Sequence, residues 1–168
     1  MTIADTATAA PPRSVTFTVL GVAAPQGSKK LNPIFRGAKG SPDRQFVGTR
    51  VGDDNPKTMP WRQDVAARAR EAMLGAPQLL RSVILTVVFE FPRPKSHYRT
   101  GRYASELRAD APRHVATKPD LSKLVRAIED AMTGIVWRDD SQVAAVRAMK
   151  VYSDQAPCAR IVIQEMLK

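Results

Sequence analysis

Four stretches of the chain have the hydrophobic pattern of β-strands. Residues 15–22 and 142–151 alternate apolar and polar side chains, and residues 83–91 form a nearly continuous apolar run. A β-branched stretch at residues 159–165 follows a turn at residues 153–157. The pattern therefore predicts a sheet in which residues 83–91 are a central strand.

Two further stretches have the spacing of amphipathic helices. Residues 60–74 begin with a proline, which suits the first turn of a helix, and residues 121–133 end before Gly134. Pro119 disfavours a helical conformation at the residue before it, so we expect Asp120 at the N-cap of the second helix. The apolar faces are Trp61, Val65, Ala69 and Met73 in the first helix, and Leu121, Leu124, Val125, Ile128 and Met132 in the second.

The elements predict a mixed α/β (α+β) fold. Their order is strand, basic loop, helix, strand, basic arm, helix, strand, strand, which favours one small domain with a largely antiparallel sheet and two main helices. We expect this domain to span residues 14–168. Residues 1–13 are rich in Ala, Thr and Pro, lack the pattern of a secretory signal, and are predicted to be a disordered tail.

The charge of the chain points to a polyanionic partner. Lys and Arg total 26 against 16 acidic residues, a net charge of +10. Nucleic acid is favoured over a membrane because no long apolar span or lipid-anchor motif is present, and the alternative is a solvated basic surface. Cys158 is the single cysteine, which excludes an intrachain disulfide and fits a reducing cytoplasm.

Much of the positive charge lies in two connections. Residues 25–50 carry six basic residues and one acidic residue; we expect a glycine-rich loop, with room for a short hairpin around Phe46 and Val47, that either follows DNA phosphates or is a solvated insertion. Residues 92–118 carry seven basic and two acidic residues and are predicted to be a DNA-contacting arm that orders on binding. The candidate DNA-binding residues are Lys29, Lys30, Arg93, Lys95, Arg99, Arg102 and Lys123.

Two carboxylates near the second helix indicate a candidate metal site. The helix rises roughly 20 Å, and residues 135–140, if extended, travel roughly 20 Å back, which would set Asp140 near Asp120. Magnesium is commonly held by one or two carboxylates together with water and phosphate oxygens. In the alternative interpretation, Asp120 only caps the helix and residues 139–141 only form a polar turn, and spacing alone favours that reading because caps and turns are commoner.

The sequence of residues 118–143 resembles the signature of the RusA family of Holliday junction resolvases. The family pattern is Lys-Pro-Asp-Leu, an amphipathic helix, a glycine, and an aromatic residue shortly before Asp-Asp-x-Gln-Val. The matching residues are Lys118, Pro119, Asp120, Leu121, Leu124, Asp130, Gly134, Trp137, Asp139, Asp140, Gln142 and Val143. A looser similarity to members found in phages extends over most of residues 15–165, including residues 25–29, 60–62 and 93–98.

The resemblance implies a function. It implies a homodimeric endodeoxyribonuclease that resolves four-way DNA junctions in recombination and repair, in the cytoplasm of a bacterial host if the chain is phage-encoded, with magnesium as its cofactor and manganese as a substitute. Asp120 and Asp140 would hold the metal, with Asp139 as a further candidate ligand. Lys118 and Arg126 would bind phosphate or stabilise developing negative charge.

One departure from the family pattern concerns the metal. The second acidic residue of the signature falls on Ser122, whose hydroxyl binds an ion only weakly or through water. Asp139, Glu90 and Glu129 are candidate replacements, although Glu129 lies about half a turn around the helix from Asp120. Two alternatives follow: a junction-binding protein with weakened or lost catalysis, and a general basic DNA-binding factor.

Overall fold

The computed structural model describes residues 11–27, 29–53 and 55–167. The predicted strands and helices are all present in it, each within a few residues of its predicted bounds. The elements are β1 (Ser14–Leu20), β2 (Lys29–Arg36), β3 (Gln45–Asp53), α1 (Thr58–Met73), β4 (Val83–Pro92), α2 (Leu121–Met132), β5 (Val143–Ser153) and β6 (Cys158–Glu165). Short 3₁₀ turns lie at Lys95–His97, Gly101–Tyr103 and Asp140–Gln142.

The main sheet has the strand order β1-β6-β4-β5. β6 is antiparallel to both of its neighbours, and β4 and β5 are parallel. The mixed α+β prediction is confirmed: the sheet is largely antiparallel, and β4 lies in its interior. The parallel pair needs a crossover connection, and the segment that contains α2 supplies it.

Both helices cover one face of this sheet. Alternate residues of β4 point toward the helices and are fully buried, which is why the segment reads as an apolar run. α2 contributes its apolar stripe to the same core and ends at Gly134, whose φ of 80° lies in the left-handed region. The fully buried core residues include Val65, Leu79, Leu85, Val87, Phe89, Leu124, Ile128, Met132 and Trp137.

β2 and β3 form a separate antiparallel hairpin. The prediction of a loop with a short hairpin around Phe46 and Val47 is wrong in extent, because the ladder runs from Lys29 opposite Asp53 to Arg36 opposite Gln45. Gly37 and Gly40, with φ of 99° and 92°, provide the positive dihedral angles of the connecting turn. Strand pairing therefore extends through a segment whose many basic residues and glycines favoured a loop.

The basic arm, residues 92–118, packs along the outer edge of β5. The backbone N–H of Val115 donates to the carbonyl of Lys150, and that of Tyr152 donates to the carbonyl of Arg113. Within the arm, Arg99 and Glu106 form an ion pair at 2.6 Å. These contacts hold the arm against the sheet, and its ordering on DNA binding stays a prediction.

Residues 1–10 of the predicted tail lie outside the described residues. Arg13, which the prediction also assigned to the tail, instead bonds to the domain: its backbone N–H donates to the Glu165 carboxylate at 3.0 Å, and its guanidinium donates to the Pro77 carbonyl at 2.8 Å. In the part of the chain that the structure describes, neither helix has the length and apolar character needed to span a membrane.

Candidate active site

Asp120 lies in a cleft of about 480 Å³ where several elements converge. We call it the Asp120 cleft. It has three lysines beside the single carboxylate, so the formal charge of its lining is positive. Its lining residues are Val22, Ala23, Ala24, Pro25, Asn55, Lys57, Phe91, Lys118, Pro119, Asp120 and Lys123.

The start of α2 presents the Asp120 carboxylate to this cleft. Asp120 occupies the predicted N-cap position, and its carbonyl accepts a hydrogen bond from Leu124 at 3.2 Å. Its side chain makes no capping hydrogen bond. The carboxylate lies 3.4 Å from the Lys123 ammonium, with both side chains about half exposed, so this ion pair is weak. The carboxylate is therefore accessible to a ligand.

Lys150 supports the segment before Asp120. It lies on the helix-facing side of β5, beside Phe89 of β4, and its ammonium donates hydrogen bonds of 2.7 Å to the carbonyls of Thr117 and Pro119. Sequence reasoning missed this role. The available signal was the position of Lys150 in β5, because the alternation of side chains along the strand directs Lys150 toward the core.

The segment after β1 connects the two helix starts beside the cleft. The Pro25 carbonyl accepts hydrogen bonds from the Asn55 amide at 3.2 Å and the Thr58 hydroxyl at 2.8 Å. The Gln26 backbone N–H donates to the Lys123 carbonyl at 3.0 Å, and its side-chain amide donates to Asp130 at 2.7 Å. These bonds fix one wall of the cleft and bring in Asn55 and Lys57, which the sequence did not single out.

Asp139 and Asp140 lie in a capped turn before β5. The Asp139 side chain accepts a hydrogen bond from the Ser141 backbone N–H at 2.9 Å, and Gln142 accepts one from the Asp139 backbone N–H at 3.2 Å. The Gln142 amide also donates to the Leu79 carbonyl at 2.9 Å. The polar-turn interpretation thus describes the local role of Asp139.

The predicted return toward Asp120 does not form. The chain turns immediately after α2, with hydrogen bonds from Ile135 N–H to the Met132 carbonyl and from Gly134 N–H to the Trp137 carbonyl. The extended conformation expected for residues 135–140 is therefore wrong. Its physical cause is the burial of Trp137, which is fully enclosed beside the end of α2.

Asp120 and Asp140 consequently lie at opposite ends of α2 and β5, which pack side by side. α2 spans about 18 Å at ~1.5 Å per residue. The path along β5 from Val143, beside Asp140, to Lys150, beside Pro119, covers roughly 23 Å at ~3.3 Å per residue. A single chain therefore does not bring the two carboxylates together. Among the described residues, no group of three or more acidic, histidine or cysteine side chains is arranged to hold a metal ion.

The Asp140 end of α2 has its own electrostatic character. Burial raises the pKa of Glu129, and the negative charges of Asp140 and Asp130 raise it further, while Arg126 opposes the shift. The pKa of Asp139 is lowered by its hydrogen bond with Ser141. Arg126 thus lies within electrostatic reach of the acidic residues at this end of the helix.

The other candidate ligand, Glu90, does not face the Asp120 cleft. It is buried on the opposite face of β4 from Phe91, a lining residue, and it pairs with Arg160. Its charge is thus already balanced there.

The predicted DNA-binding residues differ in their environments. The Arg93 side chain is only 9% exposed and pairs with Asp154 at 3.3 Å, and Arg99 pairs with Glu106. Lys95 and Arg102 are exposed, and Lys123 lies in the Asp120 cleft. The side chains of Lys29 and Lys30 lie outside the described part of the structure. The structure therefore places one of the seven candidates, Lys123, in the cleft.

Comparisons with known proteins bear on this site. The family model described as endodeoxyribonuclease RusA matches residues 38–164, which is most of the chain and includes the Asp120 and Asp140 segments. An uncharacterized protein of Bacillus subtilis strain 168, YqaN, is 36% identical over 50 residues, which are 30% of this chain and 34% of that protein. The chain thus spans about a third of the length of this curated relative.

Proposed function

Since the chain belongs to the RusA endodeoxyribonuclease family, we propose that it is a magnesium-dependent endonuclease that cuts four-way DNA junctions. Members of this family act on branched DNA, and they generally depend on a divalent metal. The observation that carries the proposal for this chain is the accessible Asp120 carboxylate in a cleft with three lysines. Such a cleft attracts a phosphodiester and keeps an acidic ligand beside it.

The residues of the cleft have distinct proposed roles. Lys57, Lys118 and Lys123 bind the DNA phosphates, and Lys118 also stabilises negative charge that develops on the reacting phosphate. Arg126, which lies outside the cleft lining about one and two-thirds turns into α2 from Asp120, binds an adjacent phosphate. Asp120 is the proposed metal ligand. A bound magnesium ion would activate water and neutralise phosphate charge.

The donor set of one chain fits magnesium only in part. Magnesium usually takes one or two carboxylates and completes its coordination with water and substrate phosphate oxygens. The Asp120 cleft supplies one carboxylate, with the Ser122 hydroxyl nearby in the first turn of α2. We therefore assign the second carboxylate, Asp140, to another copy of the chain.

The outer edge of β5 is suited to join two copies. The bonds of Lys150 and Tyr152 to the arm show that even-numbered residues direct backbone groups outward. Val146 and Ala148 share this phase, Ala144 lies at a bulge in the pairing with β4, and no strand in the described residues pairs with the outer edge of these three residues. Antiparallel pairing about Val146 would set Ala144 opposite Ala148 of the second copy, so the edge is complementary to itself.

This pairing would complete the metal site. Beyond the ladder, the Asp140–Gln142 turn of the second copy would lie near Lys150, which holds the segment before Asp120. Asp140 of the second copy would then approach the Asp120 end of α2. A two-fold dimer would have two such sites, as paired cuts in a nearly two-fold junction require.

Mixed dimers test both the activity and its division between subunits. Asp120→Asn and Asp140→Asn should each abolish magnesium-dependent cleavage of a synthetic four-way junction while junction binding in chelator persists. Exposed Asp64 provides a control, since Asp64→Asn removes a carboxylate of α1 outside the cleft and should cut normally.

Unfolding and refolding the two inactive variants together distinguishes the arrangements. If subunits share each site, about half of the refolded dimers are mixed and one of their two sites is intact, so about a quarter of the sites recover. If each site lies within one chain, no site recovers. Wild-type protein that fails to cut the junction would refute the nuclease proposal itself.

The absence of a three-carboxylate group in the described part of one chain favours a second candidate, a junction-binding protein with weakened catalysis. Ser122 is exposed in the first turn of α2, so an aspartate fits there. Ser122→Asp should then switch on cleavage in a protein that otherwise binds junctions without cutting. Robust wild-type cleavage would exclude this candidate.

A further inference from the structure

The β2–β3 hairpin exposes an apolar face. Leu31 pairs with Val51 and Phe35 pairs with Phe46, and all four side chains are exposed. The main core lies between the four-stranded sheet and the helices, and none of these four residues belongs to it. Because an isolated two-stranded hairpin is marginally stable in water, an exposed apolar face on one favours a binding partner.

The end of this hairpin combines aromatic rings with positive charge. We call Phe35, Arg36, Lys39, Arg44 and Phe46 the hairpin tip. The rings of Phe35 and Phe46 meet edge to face with centroids 5.8 Å apart, and they are 40% and 60% exposed. The Arg44 guanidinium lies 3.9 Å from the centre of the Phe35 ring. One planar cation thus already stacks on this aromatic pair.

Aromatic rings next to arginine are the groups on which unpaired bases stack. Three basic residues and one acidic residue, Asp43, lie from Arg36 to Arg44, so the tip attracts phosphates. Aromatic and arginine side chains are also enriched at protein–protein interfaces, so DNA is favoured here because the family of this chain acts on branched DNA, and the test distinguishes a protein partner.

The hairpin also connects to the Asp120 cleft. A second cavity, of about 710 Å³, lies at the base of the hairpin and is lined by Asn32, Arg50, Arg62 and Asn55. Asn55 lines the Asp120 cleft as well. From Asn32 in that cavity β2 extends roughly 13 Å to Arg36 at ~3.3 Å per residue, about four nucleotides at ~3.4 Å each.

We propose that the hairpin tip stacks on bases at the branch point of a DNA junction, where the stack of base pairs is interrupted. This inference rests on the proposed function, and it adds a structure-selective contact separate from the cleft that would cut. In linear duplex DNA the base stack is continuous and covers the faces of the bases, so the contact would discriminate in favour of branched DNA. Phe46, the more exposed ring, is the residue that the test should change.

The test measures binding in chelator, at one salt concentration, to a four-way junction with 2-aminopurine at the branch point and to a matched duplex. Phe46→Ala should weaken junction binding about 5- to 150-fold, since stacking contributes ~1–3 kcal/mol per base. Duplex binding and the salt dependence of junction binding should be unchanged. Phe46→Trp should restore affinity, whereas Phe46→Leu, which keeps an apolar side chain without a ring, should not.

Controls separate the possible failures. Leu80→Ala removes an exposed apolar side chain outside the hairpin and should bind like wild type, and melting curves verify that each variant folds. Equal junction affinity for wild type and Phe46→Ala would overturn the hairpin proposal while leaving junction cleavage intact. Restoration by Phe46→Leu, or a changed oligomeric state in Phe46→Ala, would identify a protein contact instead. Wild-type protein with no preference for the junction would overturn both proposals.

Discussion

Replacing Lys150 with methionine tests how the Asp120 segment is held. The Lys150 ammonium donates two hydrogen bonds of 2.7 Å, to the carbonyls of Thr117 and Pro119, and the lysine is half-buried. A hydrogen bond to a charged group contributes ~1.5–3 kcal/mol, and partial exposure favours the lower end. We therefore expect Lys150→Met to lower the free energy of unfolding by about 2–3 kcal/mol. At about 2–4 °C per kcal/mol, the melting temperature should fall about 4–12 °C.

Urea denaturation and calorimetry measure this loss, and Arg147→Met is the matched control. Arg147 lies on the same strand but on the other face of the sheet, and its side chain is exposed, so its replacement should change stability by less than about 0.5 kcal/mol. Junction cleavage should fall in Lys150→Met at temperatures where the variant is still folded, because the segment before Asp120 loses its support. Equal stability and activity for Lys150→Met and wild type would refute this reasoning.

Three further substitutions test the core and the acidic residues at the end of α2. Leu79→Ala should lower the free energy of unfolding by about 2–5 kcal/mol in urea, because Leu79 is fully buried, whereas its exposed neighbour in Leu80→Ala should cost less than about 0.5 kcal/mol. The raised pKa of Glu129 means that the folded state favours the protonated carboxyl, and the stability that this protonation contributes is lost as pH rises through the folded-state pKa. Glu129→Gln should therefore be more stable than wild type at neutral pH and should differ little from it in acid. The lowered pKa of Asp139 has the opposite sign, so Asp139→Asn should lose stability at neutral pH and converge with wild type as acid protonates Asp139.

Local patterns were enough to predict most of the fold. The apolar run of β4 and the helical stripe of α2 both bury the residues that their periodicity selects, such as Phe89 and Ile128. Asp120 was placed correctly at the start of α2 because Pro119 and the first apolar residues fix that boundary. The parallel pairing of β4 and β5 depends on how the crossover packs, and single-strand patterns do not contain that information.

The arrangement of the candidate site was harder to predict. The sequence of residues 135–140 is compatible both with an extended segment running back toward Asp120 and with a tight turn after α2. The burial of Trp137 beside the end of α2 decides for the turn. That burial is a tertiary effect, so the one-chain proximity of Asp120 and Asp140 was not a secure inference from spacing. The positions of Lys57 and Asn55 in the cleft likewise depend on the docking of α1 beside α2.

Ion pairing changes how positive charge is distributed among the candidate DNA-binding surfaces. The arm, residues 92–118, has the same basic excess as residues 25–50, and Arg93, Arg99 and Arg108 pair with Asp154, Glu106 and Asp110, which lowers the charge that these three arginines present to DNA. The Asp120 cleft has three lysines and one acidic residue, and the hairpin tip has three basic residues. A phosphate backbone would therefore be drawn from the cleft along the cavity at the base of the hairpin toward its tip. The arm also packs against the edge of β5 and leads to Asp120, and its contact with DNA stays a prediction.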